Sequence, residues 1–201
     1  MKKKLVLVIA IVLVAVTACV VLAGCAPKNP SDFLEKWFDS NSKYMNMGNI
    51  EIGINGNIAY TKTKINDKDY YSYIEIDGDN VISYSGVVAD NKIVWTKKTM
   101  TKAQAKEMLR LDKDIESIND IIKGQMEFSS EDFKDFDKNF TKKDGVYIAN
   151  ENTDLEGVTI KLSTKEMIMT FTEGELEVTY TLGIGYDKIT IPKEAKDAAE
   201  M

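Results

Sequence analysis

The 201-residue sequence contains no histidine, only two cysteines and a single arginine, Arg110. Without histidine, the chain lacks the commonest general base of enzymes and the commonest metal ligand. One arginine leaves little capacity for bidentate recognition of phosphates or carboxylates. These absences argue against most metal-dependent and acid–base enzymes. We therefore expect a protein that is not an enzyme and that binds neither a metal nor a cofactor.

The first 24 residues differ in composition from the rest of the chain. Lys2, Lys3 and Lys4 are followed by residues 5–23, which carry no charge, and the segment closes with Leu22-Ala23-Gly24-Cys25. This pattern resembles the signal peptide and lipobox of bacterial lipoproteins. The resemblance implies that a diacylglyceryl group is transferred to the Cys25 thiol and that the chain is cleaved before this cysteine.

An uncleaved transmembrane anchor is the alternative interpretation, since 19 uncharged residues approach the roughly 20 needed to span a bilayer. Cys25 favours the lipoprotein, because it lies where the apolar run stops and a plain anchor has no need of a cysteine there. Two acyl chains give stable attachment. We expect a signal peptide over 1–24, a lipidated tether over 25–29, and a protein held at the extracytoplasmic face of the cell membrane.

The mature body is acidic and has no free thiol. Loss of three lysines with the signal peptide changes the net charge from −6 to −9. Such a surface is repelled by phosphate backbones, so nucleic acid is not expected as a partner. Cys19 leaves with the signal peptide and Cys25 is consumed by the lipid, so no disulfide can stabilise the fold.

Hydrophobic periodicity predicts an α+β domain over 30–192 and a tail over 193–201 that is frayed or a short helix. A short helix is expected from 30 to about 42. The longest helix is expected over 102–123, starting from a capping box at Thr101 and Gln104, and 111–114 is a potential interruption. A further short helix, with Phe133, Phe136 and Phe140, is expected after a capping box at Ser129 and Asp132. Strands are expected over 50–60, 69–76, 80–88, 91–97, 145–150, 157–163, 166–173, 175–184 and 186–191.

The order helix, antiparallel meander, helices, antiparallel meander resembles the LolA-like and LppX-like lipoproteins. Three motifs add to the resemblance: Val94-Trp95-Thr96-Lys97, Asp144-Gly145-Val146-Tyr147 and Ile189-Thr190-Ile191-Pro192-Lys193-Glu194. The resemblance implies a strongly curved antiparallel sheet, a half-open barrel, packed on a few helices around an apolar cavity. A lipid or another hydrophobic small molecule is the implied occupant.

Aromatic and methionine side chains are the candidates for lining such a cavity. Tyrosine and tryptophan pair an apolar body with a polar tip, which suits a ligand cavity or a partner-binding face. Cross-strand aromatic pairs also stabilise a sheet without a ligand, and methionines also fill cores. The candidates are Tyr60, Tyr73, Tyr84, Trp95, Met108, Ile115, Met167 and Met169.

A stripe along the expected central helix must be buried, and the inner face of a concave sheet is its natural partner. The stripe consists of Met108, Leu111, Ile115, Ile118 and Ile122.

Two functions of different classes remain open. The first is a lipoprotein that holds a lipid or other hydrophobic ligand between the curved sheet and the helices. The second is a tethered interaction or structural module that binds a protein or cell-wall partner through an aromatic face.

Mass spectrometry tests the anchor. The mature protein should begin at Cys25 and carry a lipid adduct on it, because the lipobox places cleavage and modification at the same residue. A chain that retains Met1 and has an unmodified Cys25 thiol would contradict this prediction.

Overall fold

The computed structural model describes residues 27–89, 92–124, 136–151, 153–174, 176–186 and 188–200. Cys25, the signal peptide and the expected capping box at Ser129 and Asp132 lie outside these ranges. The described residues form antiparallel strands with a few helices, which confirms the expected α+β class. None of the helices in these ranges is long and apolar enough to cross a membrane.

In chain order the elements are α1 (Pro30–Asp39), β1 (Ser42–Asn46), β2 (Ile50–Asn55), β3 (Ile58–Ile65), β4 (Lys68–Asp77), β5 (Asn80–Ala89), β6 (Lys92–Thr101), α2 (Lys102–Leu109), α3 (Ile118–Gly124), a 3₁₀ helix (Phe136–Asn139), β7 (Phe140–Lys143), β8 (Val146–Ala149), β9 (Val158–Leu162), β10 (Glu166–Glu173), β11 (Leu176–Ile184) and α4 (Lys193–Lys196). The chain divides into two compact units. The first unit comprises Met1–Ser40 and Met126–Gly185, and the second comprises Asn41–Gln125 and Tyr186–Met201.

The first unit packs α1 against a meander of the five strands β7 to β11. The helix begins at Asn29, whose side-chain oxygen accepts a hydrogen bond from the Asp32 N–H at 2.8 Å, and Pro30 occupies the first turn. Its apolar stripe is almost fully buried, as the sequence predicts. The stripe residues are Phe33, Leu34, Trp37 and Phe38.

The second unit is built on a meander of the six strands β1 to β6, and both faces of this sheet are covered. Residues paired across antiparallel strands share a face, and successive residues alternate between faces. The helix face, defined by Ile54, Ile76 and Val81, packs against residues of α2, α3 and the segment between them. The aromatic face, defined by Tyr60, Tyr73, Tyr84 and Trp95, packs against the C-terminal segment 186–196.

The expected single strand over 50–60 is wrong, because a hairpin turn at Gly56 and Asn57 divides it into β2 and β3. Gly56 has φ of +61°, which suits such a turn. The apolar residues keep their even numbering across the turn. Ile54 pairs with Ala59, however, so even-numbered residues lie on the helix face in β2 and on the aromatic face in β3. Strand β1 was not expected, since Lys43 occupies one of its buried positions and interrupts the alternation.

The helix expected over 102–123 is interrupted and forms two helices, α2 and α3. Its capping box is confirmed, because the Thr101 hydroxyl accepts from the Gln104 N–H at 3.1 Å while the Gln104 side chain accepts from the Thr101 N–H at 2.9 Å. The helix then ends at Leu109, and Arg110 takes a left-handed conformation with φ of +54°. Residues 110–117 are not helical, so the interruption lies close to the expected one.

The C-terminal expectations are confirmed only in part. Residues 188–191 form no strand, although Ile189 and Ile191 are both buried against the aromatic face. Ile189 and Ile191 pack on the face of the sheet instead of pairing with the edge of a strand. Their alternating burial therefore arises without the hydrogen bonds of a β-ladder. The tail contains the short helix α4, whose Ala195 is fully buried. Phe136 and Phe140 were expected on a helix, but Phe136 lies in the 3₁₀ helix and Phe140 begins β7.

Substitution of Gly86 should show how closely the aromatic face is packed. A Cβ atom on Gly86 would lie 2.6 Å from Cζ3 of Trp95, its partner on the neighbouring strand. Gly86→Ala must therefore displace the indole, and we expect a loss of about 1–3 kcal/mol in the free energy of unfolding. Urea denaturation measures this loss. The control is Ser85→Ala, at an exposed position on the opposite face, which should change stability by less than about 0.5 kcal/mol. Equal losses in both variants would contradict the prediction.

Candidate functional site

A cleft of about 710 Å³ lies where α2 meets the end of β6 and the β4–β5 turn; we call it the α2 cleft. Leu111 and Ile115 line it and are only 6% and 2% exposed, so they provide an apolar floor. Ile115 is one of the residues predicted from the sequence. Charged residues of both signs also line the cleft, namely Asp79, Lys102, Lys106, Glu107, Arg110 and Asp114.

The rim of the α2 cleft is held by one ion pair across the helix break. The Lys106 ammonium donates to the Asp114 carboxylate at 2.7 Å, and this bond lowers the pKa of the Asp114 carboxyl group. Within the described part of the chain, the charged groups of Lys102 and Arg110 have no ionic partner. Arg110 also holds the left-handed cap position that glycine usually occupies, at a cost on the order of 1 kcal/mol. Arg110, the single arginine of the sequence, therefore lines the cleft although its left-handed backbone conformation is unfavourable.

The aromatic face brings together four residues predicted from the sequence: Tyr60, Tyr73, Tyr84 and Trp95. The ring centroids of Tyr60 and Tyr73 lie 5.1 Å apart, and those of Tyr73 and Trp95 lie 5.8 Å apart. The Tyr84 hydroxyl donates to the Glu75 carboxylate at 2.9 Å. Such pairs stabilise the sheet, and the polar tips have partners of their own.

Burial raises the pKa of Tyr60, Tyr73 and Tyr84. The Glu51 carboxylate adds to this for Tyr60 and Tyr73, since a nearby negative charge opposes formation of a tyrosinate. Glu75 does the same for Tyr84. These phenols therefore remain protonated at neutral pH.

A second, smaller pocket of about 260 Å³ opens beside the aromatic face; we call it the tyrosine pocket. Tyr60 and Tyr73 contribute from the sheet, while Tyr186 and Lys188 contribute from the C-terminal segment. The Tyr186 hydroxyl donates to the Glu51 carboxylate at 2.8 Å. Sequence reasoning missed both Tyr186 and Glu51, because no local pattern connects residues that are 135 positions apart.

Three predicted residues lie elsewhere. Met108 is 57% exposed, so the expectation that it is buried with its stripe is wrong. The residues of α2 that pack against the core are Ala105 and Leu109 instead. Met167 and Met169 are fully buried in the first unit, where core packing accounts for their burial. Neither lines the α2 cleft or the tyrosine pocket.

Within the described ranges, no group of three or more metal-binding side chains is close enough to hold an ion. Comparison with models of known families, with curated proteins and with solved structures returned no match. The likeness to LolA-like lipoproteins therefore stays a prediction. The fold and the pockets define the class of protein only as an α+β chain with antiparallel strands and two candidate binding sites.

The raised tyrosine pKa values predict alkaline sensitivity. Each affected phenol has an ordinary pKa of 10.0 when unfolded and a higher pKa when folded, so the unfolded chain loses these protons first. The contribution of these phenols to the free energy of unfolding is therefore fully present below pH 10, and the free energy of unfolding should fall as the pH rises above 10. Urea denaturation between pH 8 and 12 measures the slope, and Tyr84→Phe should make it shallower because one such phenol is removed. Stability that does not change over this range would contradict the prediction.

Proposed function

We propose that the chain is a lipid-anchored extracytoplasmic lipoprotein that catalyses no reaction and binds a lipid or other hydrophobic ligand in the α2 cleft. The observation that carries this proposal is an apolar floor beneath a charged rim, at the place where helices meet the sheet. The cleft volume of about 710 Å³ falls within the roughly 300–1,000 Å³ of small-molecule sites.

The chemistry of the cleft suits an amphiphile. Leu111 and Ile115 can receive an apolar chain, and the burial of each methylene group contributes about 0.8 kcal/mol. Lys102 and Arg110, which have no ionic partner among the described residues, can bind polar groups of the ligand at the rim. Acidic residues line the same rim, so the bound head group should be polar rather than strongly charged.

The proposed fold includes the finer arrangement implied by the LolA-like resemblance, a curved and half-open sheet around helices. Two features of the second unit support it. Its strands follow a linear order from β1 to β6, and α2 and α3 pack on one face of the sheet. In that family the cavity lies between sheet and helices. The α2 cleft is lined by α2, by the segment that follows α2, and by Thr101 at the end of β6.

The proposed anchor would hold the first unit close to the bilayer. The Tyr147 hydroxyl donates to the Lys28 carbonyl at 2.9 Å and so fixes the chain at Lys28. Only Ala26 and Pro27 separate Lys28 from Cys25. Three residue steps reach about 10 Å at most, so a lipid on Cys25 leaves little free tether.

The alternative function, a module that binds a protein or cell-wall partner through its aromatic face, has less support. The most buried part of that face, Tyr73 and Tyr84, is already covered by Ile189, Ile191 and Ala195 of the same chain. A large partner would have to displace this segment. The α2 cleft is open without any rearrangement.

A pair of tryptophan substitutions on α2 tests the proposal. Ala103 is exposed and lines the cleft, so Ala103→Trp should fill the cleft without disturbing the core. Met108 is exposed on the same helix but does not line the cleft, which makes Met108→Trp the matched control. We expect Ala103→Trp to weaken binding of a fluorescent monoacylglycerol, whose head group is polar but uncharged, by about tenfold, or about 1.4 kcal/mol, and Met108→Trp to leave it unchanged.

Native mass spectrometry of the purified lipoprotein provides a second readout. Bound amphiphile, additional to any lipid attached to Cys25, should be present in the wild type and in Met108→Trp but lost in Ala103→Trp. Binding that is absent from the wild type, or equal in both variants, would overturn the proposal.

A further inference from the structure

The tyrosine pocket has a composition distinct from that of the α2 cleft. Three phenol rings line it, those of Tyr60, Tyr73 and Tyr186. Its volume of about 260 Å³ is below the roughly 300 Å³ at the lower end of small-molecule sites. It therefore suits a compact group rather than an acyl chain.

A carboxylate without a cationic partner lies beside these rings. Glu51 accepts the hydrogen bond of Tyr186 and is opposite Lys62 in the strand pairing. The Lys62 ammonium instead pairs with the Asp69 carboxylate at 3.2 Å and lies over the Tyr71 ring, 5.6 Å from its centroid. Among the described residues, no ion pair neutralises Glu51. Glu51 does not line the pocket itself, so its uncompensated negative charge acts on a bound cation from behind the Tyr186 wall.

The wall formed by Tyr186 is held in place before any ligand arrives. A Cβ atom on Gly53 would collide with the Tyr186 ring, so the ring lies directly on the Gly53 backbone. Tyr44 packs against the same ring with centroids 5.5 Å apart, and Glu51 holds its hydroxyl. A site fixed in this way loses little conformational entropy on binding.

We propose that the tyrosine pocket binds a small quaternary ammonium group, a trimethylammonium cation. Aromatic faces attract such cations through their quadrupoles, by about 0.5–2 kcal/mol per contact. Glu51 supplies the compensating negative charge. Lys188 also lines the pocket and repels a cation. Removal of its charge should therefore strengthen cation binding, which gives a specific test of the proposal. The site does not depend on the α2 cleft, and either proposal can fail without the other.

Calorimetry with choline and with its neutral tert-butyl analogue, 3,3-dimethylbutanol, measures the role of charge. The two probes have nearly the same shape and differ in charge. Because the proposed site attracts the cation, the full-length lipoprotein should bind choline at least tenfold more tightly than the neutral analogue. Equal affinities for the two probes, or no binding of choline at millimolar concentration, would overturn the proposal.

Substitutions identify the site. Glu51→Gln retains an oxygen that can accept from Tyr186 but removes the charge, so choline affinity should fall about fivefold to tenfold. Lys188→Gln should raise the affinity about threefold, whereas Lys193→Gln, at an exposed position outside the pocket, should change it less than 1.5-fold. A decrease with Lys188→Gln would show that the pocket does not select cations and would overturn the proposal.

The aromatic contribution is tested separately. Tyr60→Phe keeps the ring and should retain choline binding, whereas Tyr60→Leu should reduce it at least fivefold. Thermal unfolding of both variants shows whether a loss of binding reflects a loss of fold. If Tyr60→Leu is folded and binds choline as the wild type does, the proposal is wrong.

The trimethylammonium group has two sources, free solutes and lipid head groups, and phosphocholine distinguishes them. Binding of choline but not of phosphocholine supports a site for free cations, because the phosphate is repelled by Glu51. Binding of both supports a site for lipid head groups. Failure of both overturns the proposal.

Discussion

The second unit depends on covering both faces of one six-stranded sheet. Ile76 and Val81 need the helices on one face, while Tyr73 and Tyr84 need the C-terminal segment on the other. Each large apolar side chain contributes about 1.5–3 kcal/mol when fully buried, so neither covering is dispensable. The C-terminal segment is therefore a structural layer, tied to the sheet by the Lys196–Glu75 ion pair. The tyrosine pocket lies between the sheet and its C-terminal covering, and the α2 cleft lies beside α2 at the end of β6.

Glycines allow the aromatic layer to lie flat on the sheet. Trp95 lies over Gly86 and Tyr186 lies over Gly53, and in each case a Cβ atom would collide with the ring. A larger residue at either position would lift the ring and open a gap beneath it. The shape of the tyrosine pocket therefore depends on Gly53, which touches the pocket only through the ring of Tyr186.

Local patterns in the sequence predicted most elements but not the contacts that join distant ones. Alternation located most strands, and the pair Thr101 and Gln104 located the start of α2. The potential break was predicted at 111–114, but α2 ends slightly earlier, at Leu109, because Arg110 takes a left-handed cap conformation although arginine ordinarily favours helices. The same reasoning found Tyr60 and Tyr73 but not the bond between Tyr186 and Glu51. A pocket formed by residues from both ends of a unit leaves no periodic signal.

The electrostatics of the aromatic face keep its tyrosines in the neutral phenol form. A general base works best when its pKa lies near the working pH, yet burial raises the pKa of Tyr60, Tyr73 and Tyr84 further above neutrality. The chain has no histidine to take over that role. Glu51 opposes ionisation of Tyr60 and Tyr73 and attracts positive charge, so the interaction that keeps these two phenols protonated also favours a cation in the proposed site.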